Sequence, residues 1–287
     1  NMRFKVILVG CGGISSQELQ PLTARDDVEM VGLVDIVEAN ARARAEEFSL
    51  HRAAIDTDLD QALAEHKPDV VVDCTVPPAR CDVVTTAVKH GCHVLGQKPM
   101  SDSMASARKM VQAAREAGKV YATIQTARFN AVYLGLRDFL ASEPFGALVS
   151  ADYRFFLGLH FPEGDFRNRM NHVLLADMSI HHFDMARMLT GKDPVSVVCD
   201  EWNPAGSWFA HGASAAATFQ MTDDLRFVYH GSWCAEGAQG SEWNIFGENG
   251  AVTTKGPDGP LAQRVVKTEG FRSEYEDLPV PVPDLNP

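Results

Sequence analysis

The sequence predicts an α/β fold in two parts: a parallel sheet wound with helices over residues 1–126, then an α+β domain over 127–287 on a mostly antiparallel sheet. Three observations carry this expectation. The first half alternates short β-branched runs with helical stretches, the pattern of βαβ units. The first run is followed at once by a glycine-rich turn. After residue 126, strand-like runs follow one another without helices between them, which favours antiparallel pairing. At 287 residues the chain is long enough for two domains.

In order, strands are expected at 4–10, 28–35, 69–75, 93–96 and 120–125, with helices among them at 37–48 and 102–117. The runs are apolar on both faces, as a sheet covered by helices on both sides requires. Gly91 and Gly118 stand just past helix ends, where glycine takes the left-handed conformation at little cost. Ser101 is the expected N-cap of the helix over 102–117. The second half should open with helices at 130–142 and about 173–190. Strands follow at 195–202, 213–220, 225–234, 241–246 and 263–268, and the tail PVPVPDLNP should be extended.

Composition bounds the function. A net charge of −12 argues against nucleic acid or an anionic membrane as partner, since both need a basic face. Cysteines 11, 74, 81, 92, 199 and 234 form no C-x-x-C pair, several lie in or beside apolar runs, and buried free thiols in a reducing compartment are expected. A structural zinc site does not fit this spacing. No stretch of 18 apolar residues suggests a membrane span. A strand begins almost at once, so no signal peptide is expected and a cytoplasmic location is. Asn1 ahead of Met2 reads as a residue left by an expression tag.

The strongest motif is Gly10-Cys11-Gly12-Gly13-Ile14-Ser15, between a strand and a helix. In the G-x-G-x-x-G pattern the first glycine makes the tight turn, the second admits the pyrophosphate, and the third allows close helix packing. Ser15 is small enough for that third role. Asp35 ends the second strand, where a carboxylate accepts the adenosine ribose hydroxyls. Ile36 and Val37 bring no cation for a 2′-phosphate, so NAD is expected over NADP. A Rossmann dinucleotide-binding domain follows from this order of elements.

Two clusters point to catalysis. Gly96-Gln97-Lys98-Pro99 follows the strand at 93–96, and ligands of open α/β sheets bind at the carboxyl ends of strands. Asp177 and His181 are four apart on a predicted helix, with Asp184 near the same face and His182 off it. A carboxylate beside an imidazole can orient it as an acid or base near neutral pH. A third ligand is lacking, so no metal is expected. Arg128, Asn130, Arg154, His160, Arg167, Arg169 and His172 are candidates to line a substrate site.

These residues together resemble the Gfo/Idh/MocA oxidoreductases, the group of glucose-fructose oxidoreductase and inositol dehydrogenase. The resemblance rests on the glycine loop, Asp35, Thr75-Val76-Pro77-Pro78, Gly96-Gln97-Lys98-Pro99, Arg128-Phe129 and Asp177…His181…Asp184. It implies a second domain on a large open sheet, with the sheet's outer face forming a homodimer or homotetramer interface. It implies an NAD site including Gly10, Cys11, Gly12, Gly13, Ile14, Asp35, Thr75, Pro77, Gln97 and Lys98. It also implies Lys98, Asp177 and His181 as catalytic residues for hydride transfer between nicotinamide and a secondary alcohol of a sugar, inositol or related polyol. Two other activities are compatible with the same residues: glycoside hydrolysis with a retained NAD, and non-catalytic NAD-dependent regulation. The chain departs from the family in Gln97, usually glutamate, and near Cys81, where histidine is common. It departs again at Asn171-His172-Val173-Leu174-Leu175, usually glycine-rich, so Asn171 and His172 should intrude on the substrate pocket. Members continue with another helix, which implies native residues beyond Pro287.

Overall fold

The computed structural model describes residues 3–142, 145–237, 239–254 and 260–284. The reading of Asn1 and the last three residues of the predicted extended tail lie outside the described residues. The chain divides into two compact units, Asn1–Ile124 and Gln125–Pro287.

In the first unit, β1 (Phe4–Val9), α1 (Ser15–Thr23), β2 (Val28–Val34), α2 (Glu38–Glu47), β3 (Ala54–Asp56) and α3 (Leu59–His66) are followed by β4 (Val70–Asp73), α4 (Arg80–Lys89), β5 (His93–Gly96), α5 (Met104–Glu116) and β6 (Tyr121–Thr123). The six strands are all parallel, in the order β3-β2-β1-β4-β5-β6. Alternate residues of β1 feed opposite cores. Ile7 and Val9 pack with Val84, Val88 and Met110, while Val6 and Leu8 pack with Leu19 and Ala41. That is why its apolar run is continuous rather than alternating. The cap of α5 is Ser103, whose hydroxyl accepts from Ser106 N–H, and not Ser101.

The second unit contains α6 (Ala131–Leu140), β7 (Leu148–Phe156), a π-helical turn (Leu174–Ser179), α7 (Ile180–Thr190), β8 (Pro194–Trp202), β9 (Ser214–Met221), β10 (Arg226–Ser232), β11 (Gly240–Gly247), β12 (Gly250–Thr253), β13 (Leu261–Glu269) and β14 (Arg272–Leu278). Its eight-stranded sheet runs β14-β13-β12-β11-β7-β10-β9-β8. Every pair is antiparallel except β7–β10. The expectation of an α/β chain with a parallel sheet and a large, mostly antiparallel one is met. One face of the large sheet packs Tyr153, Phe227, Tyr229, Trp243 and Ile245 against Leu136, Phe139, Met185 and Leu189 of α6 and α7.

All six cysteines are free thiols. Cys11, Cys74, Cys81 and Cys92 are buried as expected, but Cys199 is exposed. It lies on β8, which among the described residues is an edge strand paired on one side only, so an apolar run there does not imply burial. Among the described residues no helix is long and apolar enough to cross a membrane.

Candidate active site

The turn after β1 is shaped by steric limits. Gly10 has φ +86°, and a Cβ there would lie 2.7 Å from Thr75 N. Only glycine fits such a position without strain. At Gly12 and Gly13 a Cβ would meet nothing within 4 Å. The turn thus packs on β4 through Gly10 and is open at the next two glycines, as backbone approached by a ligand must be. The N-cap of α1, Ile14, makes no side-chain hydrogen bond to the first turn, so the helix start has no cap competing with an anion. Ser15, fully buried, donates to Gly12 O at 2.6 Å.

Asp35 sits just past β2, and its Oδ2 accepts from Cys11 N–H at 2.7 Å. Its Oδ1 accepts from Val37 N–H and Asn40 Nδ2. The carboxylate is therefore fixed to the glycine turn itself. Burial, with Asp35 nearby, pushes the Cys11 thiol up to about 12, so this turn residue stays neutral. Arg44, a basic group in contact with the turn, donates to Ser15 Oγ and Gly12 O and pairs with Glu47. Glycines, helix start and carboxylate fit a dinucleotide.

Beside this turn, the loops after β4 and β5 are tied together. Thr75 N–H and Oγ1 both donate to Asp73 Oδ1, at 2.9 and 2.6 Å. Its carbonyl accepts from Arg80 Nε and Nη2. The Arg80 guanidinium, 4% exposed, also donates to Gln97 O at 2.7 Å and to Pro99 O. It holds the main chain on either side of Lys98. Asp73 is buried, and burial pushes its carboxyl above the usual carboxylate range. Gln97 Nε2 donates to Glu18 Oε1 on α1. A carboxylate does stand beside the residue that precedes Lys98, but it comes from another helix.

In the second unit His181 is the second residue of α7. Its Nδ1 lies 2.6 Å from Gln125 Oε1. It lines a cavity of about 520 Å3 together with Thr126, Asn130, Tyr133, Tyr153 and Trp243. Asp177 falls in the π-helical turn rather than in the regular α-helix expected over 173–190, and its carboxylate lies 4.0 Å from Arg167. The neighbouring His182 is enclosed by Tyr153, Phe155 and Tyr229, with Nδ1 3.4 Å from Tyr229 Oη. Burial and then His181 push its pKa down to about 3, so it is neutral and part of the core.

The other expected substrate residues scatter. Asn130 lines the His181 cavity and also caps α6, accepting from Val132 N–H. Arg128 is bound to Asp184 at 2.6 Å, an ion pair that fastens the segment after Gln125 to α7. Arg154 lies among Asp152, Asp200 and His230 on the other face of the large sheet. His160 stacks on Trp208 and meets Glu236, His172 meets Glu201, and Arg167 lies over Phe161 while bound to Asp165. Arg169 is exposed, and neither it nor His172 lines the His181 cavity. Gln125, Thr126, Tyr133, Tyr153 and Trp243 were not expected at the site. Gln125 could have been found as the last residue of the run at 120–125; Tyr153 and Trp243 come from strands that meet only in the folded sheet.

Comparison with known proteins accords with this architecture. A family model described as the oxidoreductase family with an NAD-binding Rossmann fold matches residues 4–125, and the GFO/IDH/MocA C-terminal domain matches 133–253. D-apiose dehydrogenase of Paraburkholderia graminis is 31% identical over 193 residues, covering 66% of this chain and 50% of that protein. D-glucoside 3-dehydrogenase of Escherichia coli is 28% identical over 229 residues, covering 77% of this chain and 65% of that protein. The chain thus spans about half to two thirds of the length of these two relatives. An oxidoreductase from Agrobacterium radiobacter, solved in complex with NAD+, L-tartaric acid and magnesium, has the same fold. Its TM-score is 0.83 at 16% identity, covering 96% of this chain and 80% of that one. The chain belongs to the GFO/IDH/MocA oxidoreductase family, whose first domain is an NAD-binding Rossmann fold.

Proposed function

We propose that the protein is an NAD-dependent dehydrogenase or reductase acting on a secondary alcohol of a sugar, inositol or related polyol. The observation that carries this reading is His181: a half-buried imidazole held at Nδ1 by Gln125 and facing a cavity that also offers Thr126 and Asn130. An accepting amide at Nδ1 leaves the lone pair on Nε2, the form that takes a proton.

In this reading Gly10, Cys11, Gly12, Gly13, Ile14 and Asp35 hold the dinucleotide, together with Thr75, Pro77, Gln97 and Lys98 from the loops after β4 and β5. NAD is favoured over NADP because Asp35 supplies a fixed carboxylate and Arg44 is engaged with Ser15 and Glu47. When bound, nicotinamide supplies hydride acceptance or donation. His181 removes the hydroxyl proton as general base, and Asp177 contributes negative charge on the same helical segment. Lys98 donates to the substrate oxygen and steadies developing charge. The names of the relatives support a sugar or polyol as substrate.

The outer face of the large sheet exposes Val198, Val228 and Phe246. Exposed apolar groups on a broad sheet favour pairing with a second copy, so a homo-oligomer is expected, and the free, mostly buried cysteines favour the cytoplasm as its location. Size-exclusion chromatography with light scattering checks it; a monomer at micromolar concentration counts against it.

The activity is tested by following reduced nicotinamide absorbance with aldoses, inositols and sugar acids. Turnover in the unaltered protein, with His181→Ala slower by about 10²–10⁴-fold and still binding NAD, is the expected result. Full activity in His181→Ala removes the assignment.

A further inference from the structure

Gln97, the residue before Lys98, is 5% exposed and held from three directions. Its N–H donates to Asp73 O at 2.9 Å, and its carbonyl accepts from Arg80. Both bonds belong to the main chain and tolerate any side chain at 97. The third bond is different. Gln97 Nε2 donates to Glu18 Oε1 at 2.5 Å, joining residues 79 apart in sequence. Glu18 lies on α1, the helix that opens from the glycine turn, and Gln97 stands at the end of β5. One side-chain hydrogen bond thus ties the helix behind the dinucleotide turn to the strand end that carries Lys98.

The bond is selective as to chemistry. Glu18 is half-buried; burial raises its carboxyl above the usual range, and the hydrogen bond from the Gln97 amide offsets only part of that rise. A carboxylate with restricted access to water needs a donor, and a buried amide needs an acceptor. Each side chain meets the other's need. The ionisable groups close by are Arg80, which donates to Gln97 O, Asp73, whose carbonyl accepts from Gln97 N–H, and the Cys74 thiol, which burial raises and the Glu18 charge raises further.

We propose that Glu18 is a positioning residue: through Gln97 it sets the Lys98 turn against the glycine-turn helix, as an acid–amide pair whose two ends are interchangeable. This deepens the proposed function and relies on it for the role of Lys98.

The test uses Glu18→Leu, Glu18→Gln, Gln97→Glu and the exchanged double variant Glu18→Gln/Gln97→Glu in the whole chain. NAD affinity is read by protein fluorescence titration between pH 6 and 8, alongside kcat and KM. Glu18→Leu should lose about tenfold or more in kcat and bind NAD severalfold more weakly, since misplacement of a reacting group is costly and the glycine-turn helix loses its tie to the strand end. Glu18→Gln keeps the acceptor and should recover most of that loss. Gln97→Glu sets two carboxyls within hydrogen-bond reach, which must share a proton. Its NAD affinity should fall severalfold from pH 6 to pH 8, and the exchanged double variant should return to the unaltered profile. A flat profile in Gln97→Glu, or a double variant as impaired as Gln97→Glu, overturns the proposal. Lack of turnover in the unaltered protein would bear on the proposed function alone, because the fluorescence titration still decides the pair.

Discussion

His181 Nδ1 lies 2.6 Å from Gln125 Oε1, and Gln125 is the first residue of the second unit. An amide oxygen only accepts, so it selects the tautomer with the proton on Nδ1. An amide also carries no charge, so it orients the ring without favouring the imidazolium. Gln125→Glu keeps the geometry and adds that charge. An opposite charge in contact favours the protonated form. A general base must be deprotonated to act, so the acid limb of kcat/KM against pH should move up by about one pH unit. An unmoved limb in Gln125→Glu would show that the titrating base is not His181.

How much of this was legible in the sequence depends on range. The glycine turn, Asp35 and the residues around Lys98 belong to short local patterns, and their elements fall within a few residues of expectation. The sequence does not mark β7 as a strand, because LVSADYRFF mixes polar and apolar residues and sits far from its partners. Yet it lies near the middle of the large sheet, between β10 and β11. Its polar residues face outward and Tyr153 faces the core, a division only the assembled sheet reveals. The π-helical turn at Asp177 has no compositional mark, so an ordinary helix was the natural expectation there. Ser101 and Ser103 are chemically alike as caps; reach to Ser106 N–H decides between them. Gln97 could be seen as a departure from its family, but its partner Glu18 could not.

Gly10 and Gly12 separate the two demands on the dinucleotide turn. Gly10→Ala forces a side chain into φ +86° and places its Cβ 2.7 Å from Thr75 N. The left-handed conformation alone costs about 1–2 kcal/mol, and the clash adds to it. The melting temperature should fall by several degrees. Gly12→Ala has open space around its Cβ and no positive φ. Its melting temperature should stay near that of the unaltered protein, while NAD affinity drops about tenfold or more as the methyl meets the pyrophosphate. Calorimetry with and without NAD distinguishes the two. Equal loss of stability in both variants would contradict the open turn.

Asp35 acts on cofactor choice and on the turn together, since Oδ2 holds Cys11 N–H while Oδ1 holds Val37 N–H. Asp35→Ser keeps a small acceptor and removes the charge. NAD affinity should fall about tenfold, with NADP affinity falling less or rising, because a 2′-phosphate no longer faces a carboxylate. Fluorescence titration with both cofactors reads the ratio. An unchanged NAD:NADP ratio would place the ribose hydroxyls elsewhere.

His182 should make the fold acid-sensitive. Its pKa is pushed from 6.5 down to about 3 by burial among Tyr153, Phe155 and Tyr229. The folded state therefore binds its proton less readily than the unfolded chain does. Above pH 6.5 both states are neutral and the full contribution to stability is present. As pH falls from 6.5 towards 3 the unfolded state takes up the proton first, and up to about 5 kcal/mol is lost. Asp73 opposes this trend, since a carboxyl raised by burial gains a proton more readily in the fold. His182→Phe keeps an aromatic ring in the cage and removes the titration. Between pH 6.5 and 4 its melting temperature should fall less steeply than that of the unaltered protein. Parallel curves would mean that His182 does not control acid stability, and that a carboxylate held below its usual range by an arginine, such as Asp165 beside Arg167, does.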